Sequence, residues 1–439
     1  MTVLFHGGTA AEIASSIRAE LDTGALGPGD PLPTARELAE VLGVNRNTVA
    51  AAYRQLALAG LLVSRRGAGT MVAHQSTTAE EGYRLDTAVA DVGSGNPDRS
   101  LMPNLSSLTL PPGPSVLYGE STTDAGLGAW AEEWFATELD RPFQVTIMGG
   151  AIDAVERLLA MSLAAGDPVA LEDPCFLTSV NAVRRSGYRP APIPVDEEGM
   201  TVNGLRAALD SGARVVICTP RAHNPTGVNI TAGRAKELKA VIAQHPHTLV
   251  IEDDHFSMLA SDDYHTIVPP GHANWALIRS LSKFLGPDLR IALVATDPGT
   301  ARRLGGHISA GANWVSHLLQ RTAHALLMDP ALAERNTRAR EHYRSRNAQF
   351  VQFLADRGVD ATARDGLNVW VDVDADAHTV SAELVRRGWA ARTGDEFAIG
   401  AGTGAQRLRL TVHELDDGDA QRLAGALADA IRMVRNRLR

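Results

Sequence analysis

Lysine is rare in this chain. Lys236, Lys239 and Lys283 are the only lysines among 439 residues, and arginine carries the rest of the positive charge. Lys283 ends the run Ser280-Leu281-Ser282-Lys283, and Arg290 follows seven residues later. A lysine amine can attack a carbonyl carbon, and a hydroxyl with a guanidinium fork suits a phosphate. Further motifs stand at wide intervals. Asn224-Pro225-Thr226-Gly227 follows one predicted strand, Ile251-Glu252-Asp253-Asp254 ends another, and Arg407-Leu408-Arg409-Leu410 lies near the C-terminus. Gly149-Gly150-Ala151-Ile152 opens a predicted helix, whose first N–H groups can receive an anion. Singly these signals are weak. Asn-Pro-x-Gly is often a turn, and an aspartate at a strand end is as often a cap.

The elements that must position these residues alternate. Short β-rich runs at Pro168 to Leu171, Val215 to Cys218, Leu249 to Ile251 and Leu293 to Ala295 are separated by helical segments, the pattern of an α/β fold with a mainly parallel sheet. A long charged helix follows Asp329, and strands at Asn368 to Val373 and Arg407 to Val412 complete a smaller α+β segment.

The first 73 residues follow another pattern. Ile13, Ile17 and Leu21 recur at helical spacing behind Thr9 as N-cap, a turn-rich passage runs from Gly27 to Pro33, and Thr34 starts a helix ending at Gly43. Asn45 caps a third helix with Val49, Tyr53 and Leu56 on its buried face, closed by Gly60. Leu61 to Val63 and Thr70 to Val72 flank Arg65-Arg66-Gly67-Ala68-Gly69 as a hairpin. That order is a winged helix-turn-helix. The N-terminal end of such a recognition helix enters the major groove, where Asn45, Arg46, Asn47 and Thr48 would face bases and phosphates. Arg36 is placed for a phosphate or base contact, and Arg65, Arg66 and Gly67 for phosphate or the minor groove. A small helical domain with a solvated arginine face is the plainer alternative.

Composition bounds the rest. The hydrophobic share of 44% and charged share of 21% fit soluble globular domains. Net charge is −9, and residues 1 to 75 hold six Arg against six Asp plus Glu, so DNA contact must come from clustered arginines rather than bulk basicity. Two cysteines, Cys175 and Cys218, cannot frame a disulfide fold and fit a reducing compartment. With no signal peptide or membrane span in view, the cytoplasm is the expected location. No metal site is expected. Residues 74–86 are small and polar and read as a linker spanning on the order of 20 Å root-mean-square. The expected division is a head at 1–73, a large domain at 87–329 and a small subdomain at 330–439.

The run Leu32-Pro33-Thr34-Ala35-Arg36-Glu37-Leu38-Ala39, then Leu42 to Val49, Ala52 to Leu56 and Arg65 to Thr70, resembles the GntR family of bacterial regulators. The four later motifs, in order and interval, resemble fold-type I aminotransferases. Together the whole chain resembles the MocR subfamily of regulators. Stretches such as 149–154, 254–257 and 286–290 are similar to its PtsJ-like members, linked to vitamin B6 metabolism. The resemblance implies an α+β winged helix-turn-helix head joined to an α/β fold-type I aminotransferase domain with a small C-terminal α+β subdomain. It also implies pyridoxal 5′-phosphate (PLP) as cofactor.

Roles then follow. Lys283 would form the Schiff base. Asp253 would keep the pyridine nitrogen protonated by charge pairing. Asn224 would donate to the ring's phenolate oxygen. The phosphate would lie against Gly150, Ala151, Ile152, Ser280 and Arg290. In the family an aromatic at the position of Phe176 stacks on the ring, the position of Tyr118 reaches the partner subunit's phosphate, and that of Arg409 clamps a carboxylate. A domain-swapped homodimer with shared sites is thereby implied. Two positions depart. His255 stands where relatives commonly have a tyrosine facing the phenolate oxygen, and its charge can change near neutral pH. Thr178 stands where some relatives place a ligand-binding arginine.

Two functions remain open on these residues. One is a regulator binding operator DNA and responding to PLP or to an amino compound that forms an aldimine with it. The other is a working aminotransferase with a DNA-binding appendage. A PLP-storage dimer fits less well, because the helix-turn-helix and wing are intact.

Overall fold

The computed structural model describes residues 5–437 apart from 28, 59–60, 66–68, 73–88, 106–112, 310, 312 and 401, and the backbone alone at 58, 63–65 and 437. The chain divides into two compact units. One comprises residues 1–79, 164–167 and 183–189, and the other comprises 80–163, 168–182 and 190–439.

In the first unit, α1 (Ala10–Asp22) starts on a capping box in which Thr9 and Glu12 satisfy each other's backbone N–H groups, and α2 (Ala35–Leu42) starts on the same device from Thr34 and Glu37. Gly43 ends α2 in the left-handed conformation, φ 65°. In α3 (Arg46–Leu58), Asn45 Oδ1 accepts the Asn47 N–H at 2.8 Å. Ile13, Ile17, Leu38, Val49, Leu56 and Leu62 close one core, each such burial stabilising by roughly 1.5–3 kcal/mol. Tyr53 belongs to that core, and its hydroxyl donates to the Pro33 carbonyl at 2.7 Å. The hairpin β2 (Leu62–Arg65) and β3 (Gly69–Val72) is antiparallel, with β2 running two residues further than the sequence suggested. The turn-rich passage also holds a strand, β1 (Pro31–Leu32), paired antiparallel on β3. Proline is tolerated there because β1 is an edge strand. The proposed helix stop at Gly60, the wing residues Arg66 and Gly67, and the linker at 74–86 lie outside the described residues.

The second unit begins with β4 (Ala90–Asp91) and α4 (Ala125–Ala136). Along the chain follow β5 (Gln144–Met148), α5 (Ala151–Ala160), β6 (Pro168–Asp173), α6 (Leu177–Arg185), β7 (Arg189–Asp196), β8 (Gly199–Met200), α7 (Val202–Asp210), β9 (Val215–Cys218) and α8 (Ala232–Ile242), of which the end of α6 and the first residue of β7 group with the first unit. Then come β10 (Leu249–Asp253), β11 (Trp275–Ser280), β12 (Ala292–Thr296), α9 (Pro298–Ser309), α10 (His317–Leu327) and α11 (Leu332–Ala355). An eight-stranded sheet forms in the order β5-β12-β11-β10-β9-β6-β7-β8. Strands β6, β9, β10 and β11 run parallel, whereas β12 is antiparallel to both neighbours. Every residue of β9 to β12 is buried, as expected of strands covered on both faces.

The chain closes with β13 (Asn368–Asp372), α12 (Ala377–Arg386), β14 (Trp389–Ala390), β15 (Arg392–Thr393), β16 (Arg407–Thr411) and α13 (Asp417–Arg437). Strand β16 pairs antiparallel with β13 and β15, and β4 joins β14. A separate core gathers here around Phe350, Leu354, Val371, Leu384, Leu410 and Leu423.

Candidate functional site

The chemistry-bearing motifs converge at the carboxyl ends of the parallel strands, where open α/β sheets place ligands. Asp253 ends β10, Ser280 ends β11, and Lys283 follows three residues later. Asn224, His255 and Lys283 line one recess with Gly366 and Asn368. Lys283 Nζ donates to the Gly95 carbonyl at 3.2 Å, and the Gly95 N–H donates to Thr411 Oγ1 at 2.9 Å. The sequence reading passed over Gly95, Gly366 and Asn368. The signal was the glycine-rich run Gly93-Ser94-Gly95 and the Asp365-Gly366 turn before β13.

Asp253 is buried, and its Oδ1 has no hydrogen-bond partner among the described residues. Burial, and then the neighbouring Asp254 carboxylate, push its pKa up to about 7, while Lys283 pulls it down. An orphaned, buried carboxylate oxygen is costly unless a cation or donor meets it, so it fits a protonated ring nitrogen. Asp254 is itself clamped. Arg221 donates to it through Nη2 at 2.6 Å and Nε at 3.0 Å, and Arg279 through Nε at 3.2 Å. Arg279 is fully buried, pairs with Glu138 and lies over Trp134 at 4.4 Å. Behind this group, burial raises Glu172 to about 8 and lowers His223 to about 3. Burial thus disfavours charge on both sides of their 3.5 Å approach.

A second corner of the site is built around Gly150, the N-cap of α5, at φ 110°. A Cβ at Gly150 would lie 3.1 Å from Arg290 Nη2. Arg290 itself holds φ 49°, an unusual conformation for a residue with a side chain. Ala151 and Ile152 form the first turn of the helix, so their N–H groups have no partner within it and can receive an anion. Asp153 accepts the Gly149 N–H at 3.0 Å, and Ser280 Oγ accepts the Ser282 N–H at 3.3 Å. This cradle suits a phosphate.

Phe176 and His255 face each other nearly parallel, 13° between planes and 6.5 Å between ring centres. Arg409 is fully buried and already engaged: Nη1 donates to Asn224 Oδ1 at 3.1 Å, Nη2 donates to the Gly93 carbonyl at 2.6 Å, and Phe397 lies beneath it at 4.7 Å. Tyr118 is 86% exposed and meets the Trp314 ring edge-on at 5.5 Å.

In the first unit, Asn45, Arg46 and Asn47 are exposed at the start of α3, and Thr48 is half-buried. Arg36 is exposed on α2 and pairs with Glu40 at 3.1 Å. Arg65 ends β2, while Arg66 and Gly67 lie outside the described residues.

The residues present fit PLP. Asp253 offers the unmatched oxygen, Lys283 the amine, Asn224 the amide and the Gly150–Arg290 corner the phosphate cradle. Comparison with known proteins points the same way. Residues 9–72 match the gntR family of bacterial regulatory proteins, and residues 117–427 match aminotransferase class I and II, a PLP-dependent family. The chain is 42% identical to the vitamin B6 salvage pathway transcriptional repressor PtsJ of Salmonella typhimurium, over 98% of this chain and 100% of that one. It is 25% identical to the HTH-type pyridoxine biosynthesis transcriptional regulator PdxR of Corynebacterium glutamicum, over 79% of this chain and 78% of that one. LysN, an α-aminoadipate aminotransferase of Thermus thermophilus, shares the fold at TM-score 0.68 and 23% identity, over 79% of this chain and 94% of that one.

Proposed function

The chain belongs to the aminotransferase class I and II family and, through its gntR-family head, to the MocR type of transcriptional regulator; from that premise we propose that it represses vitamin B6 genes in response to PLP. PLP, alone or carrying an amino compound, would bind at Lys283 and shift the affinity of the heads for operator DNA. A ligand moves such an equilibrium only by its differential affinity for the two states. PLP supplies an aldehyde for the lysine amine and a ring that draws electrons.

The protein's own residues do the rest. Asp253 holds a proton at the ring nitrogen by charge. Asn224 and His255 flank the ring's oxygen, and Phe176 covers a face. Gly150, Ala151, Ile152, Ser280 and Arg290 hold the phosphate, with Tyr118 of a second copy completing it in a domain-swapped homodimer. Arg409 orients a carboxylate. On the DNA side, Arg36, Asn45, Arg46, Asn47, Thr48, Arg65, Arg66 and Gly67 contact operator bases and phosphates. The cytoplasm is the expected compartment, and no helix among the described residues is long and apolar enough to cross a membrane.

The observation that carries this reading is the orphaned Asp253 oxygen beside Lys283 in a chain that also bears a complete recognition helix. DNase protection of DNA upstream of the protein's own gene, with and without PLP, tests it. Protection that PLP shifts or strengthens is expected; protection indifferent to PLP at every concentration would sink the sensing mechanism.

Enzymatic turnover is the second reading, favoured by the Lys283, Asp253, Asn224 and Arg409 set. Incubating the PLP form with an amino-acid panel and a keto-acid acceptor separates the two, since only an enzyme makes repeated product.

A further inference from the structure

Asp98, His342 and His413 come from three separate elements. Asp98 caps the short turn at Arg99–Leu101, His342 lies on α11, and His413 follows β16. One donor atom of each lies within 4.8 Å of the other two. His413 is buried, and its Nε2 lies 3.0 Å from the Asn96 carbonyl. A carbonyl only accepts, so Nε2 carries the hydrogen and Nδ1 presents a lone pair. Nδ1 has no hydrogen-bond partner among the described residues. A ring nitrogen donated to a backbone carbonyl while the other stays open is the arrangement that orients metal-ligating histidines. His342 Nε2 lies 3.7 Å from Asp98 Oδ2 and 2.9 Å from the His413 carbonyl, so without an ion this nitrogen carries the ring hydrogen, and ligation through it would move that hydrogen to Nδ1. His342 also lines a recess on α11 with Thr337, Arg338 and Glu341, so one member of the set is reached from the surface.

We propose that Asp98, His342 and His413 form a binding site for a divalent transition-metal ion of the zinc class. The donor set decides the class: two imidazoles with one carboxylate favour zinc and its neighbours over magnesium or calcium, which prefer oxygen. A tetrahedral ion with bonds of about 2.0–2.2 Å keeps its donors roughly 3.4 Å apart, so the set closes by about an ångström of side-chain movement. Solvent takes the remaining position. The ion would tie α11 to the segment after β16 and to residues 95–98, whose Gly95 carbonyl receives Lys283.

Zinc and cobalt(II) binding to the untagged, PLP-loaded full-length chain tests the proposal. One ion per chain is expected, with cobalt giving visible absorption bands of a nitrogen- and oxygen-ligated site. Asp98→Asn and His342→Gln each should weaken zinc by about tenfold or more. Both positions are part-exposed, and asparagine can keep the cap on Ser100, so circular dichroism should show folded protein. His413→Ala should abolish the cobalt bands. Zinc below a tenth of an equivalent, or binding unchanged in the folded Asp98 and His342 variants, would overturn it.

Discussion

Gly150 lies so close to Arg290 that a side chain at position 150 would crowd the guanidinium. A Cβ on Gly150 would stand 3.1 Å from Arg290 Nη2, and both residues hold positive φ, 110° and 49°. Gly150→Ala should therefore strain the backbone by about 1–3 kcal/mol and crowd the guanidinium. PLP affinity, followed by absorbance, should fall at least about fivefold. Arg290→Ala should fall further still. Unchanged binding in Gly150→Ala would remove the phosphate from this corner.

Asp253 gives a pH dependence with a definite sign. Its folded pKa is raised to about 7 from an ordinary 3.8. Between those values the unfolded chain has lost a proton that the folded chain keeps. Stability without PLP therefore falls as pH rises from 4 to 7 and levels above, each tenfold difference in proton affinity being worth about 1.4 kcal/mol. Asp253→Asn has no such proton. Freed of PLP, that variant should lose less stability than the parent between pH 4 and 8 in denaturant titrations, while holding PLP more weakly. Parallel stability curves for the two proteins would contradict the assignment.

Arg46 is exposed at the start of α3, so its loss should leave folding intact. Arg46→Ala should weaken operator binding by about 1–3 kcal/mol, roughly five- to 150-fold, with the same melting temperature. Asn45→Ala differs, because it also removes the cap on the Asn47 N–H at 2.8 Å and should cost the head about 1 kcal/mol. Equal DNA affinity in Arg46→Ala would place the interface elsewhere.

Tyr118 is exposed beside Trp314 rather than at its own chain's Lys283 recess. If a second copy completes the site, Tyr118→Phe chains and Lys283→Ala chains should complement when mixed. The mixed dimer should regain one fully formed PLP site per pair, seen as tighter binding than either parent. No recovery on mixing would argue against shared sites.

Much of this arrangement was legible in the residues. Thr9, Thr34 and Asn45 announced their helices because capping is local. Lys283, Asn224 and His255 could be brought to one recess through the family resemblance that their motifs carry. Other features depend on distant partners. The β1 strand at Pro31 exists only because β3 arrives some forty residues later to pair with it. The direction of β12 leaves no trace in its apolar run, since a fully buried strand reads the same both ways. Arg279 looks like a surface residue until Asp254, Glu138 and Trp134 enclose it. The engagement of Arg409 by the Gly93 carbonyl likewise joins segments 316 residues apart.

Operator affinity with and without PLP, in the parent protein and in Lys283→Ala, tests the central claim most directly. Fluorescence anisotropy on the protected DNA at fixed salt would read it. PLP should change the parent's affinity severalfold and leave Lys283→Ala unmoved, with both proteins binding DNA. An identical response in the two proteins, or none in the parent, would contradict a regulator that senses PLP through this lysine.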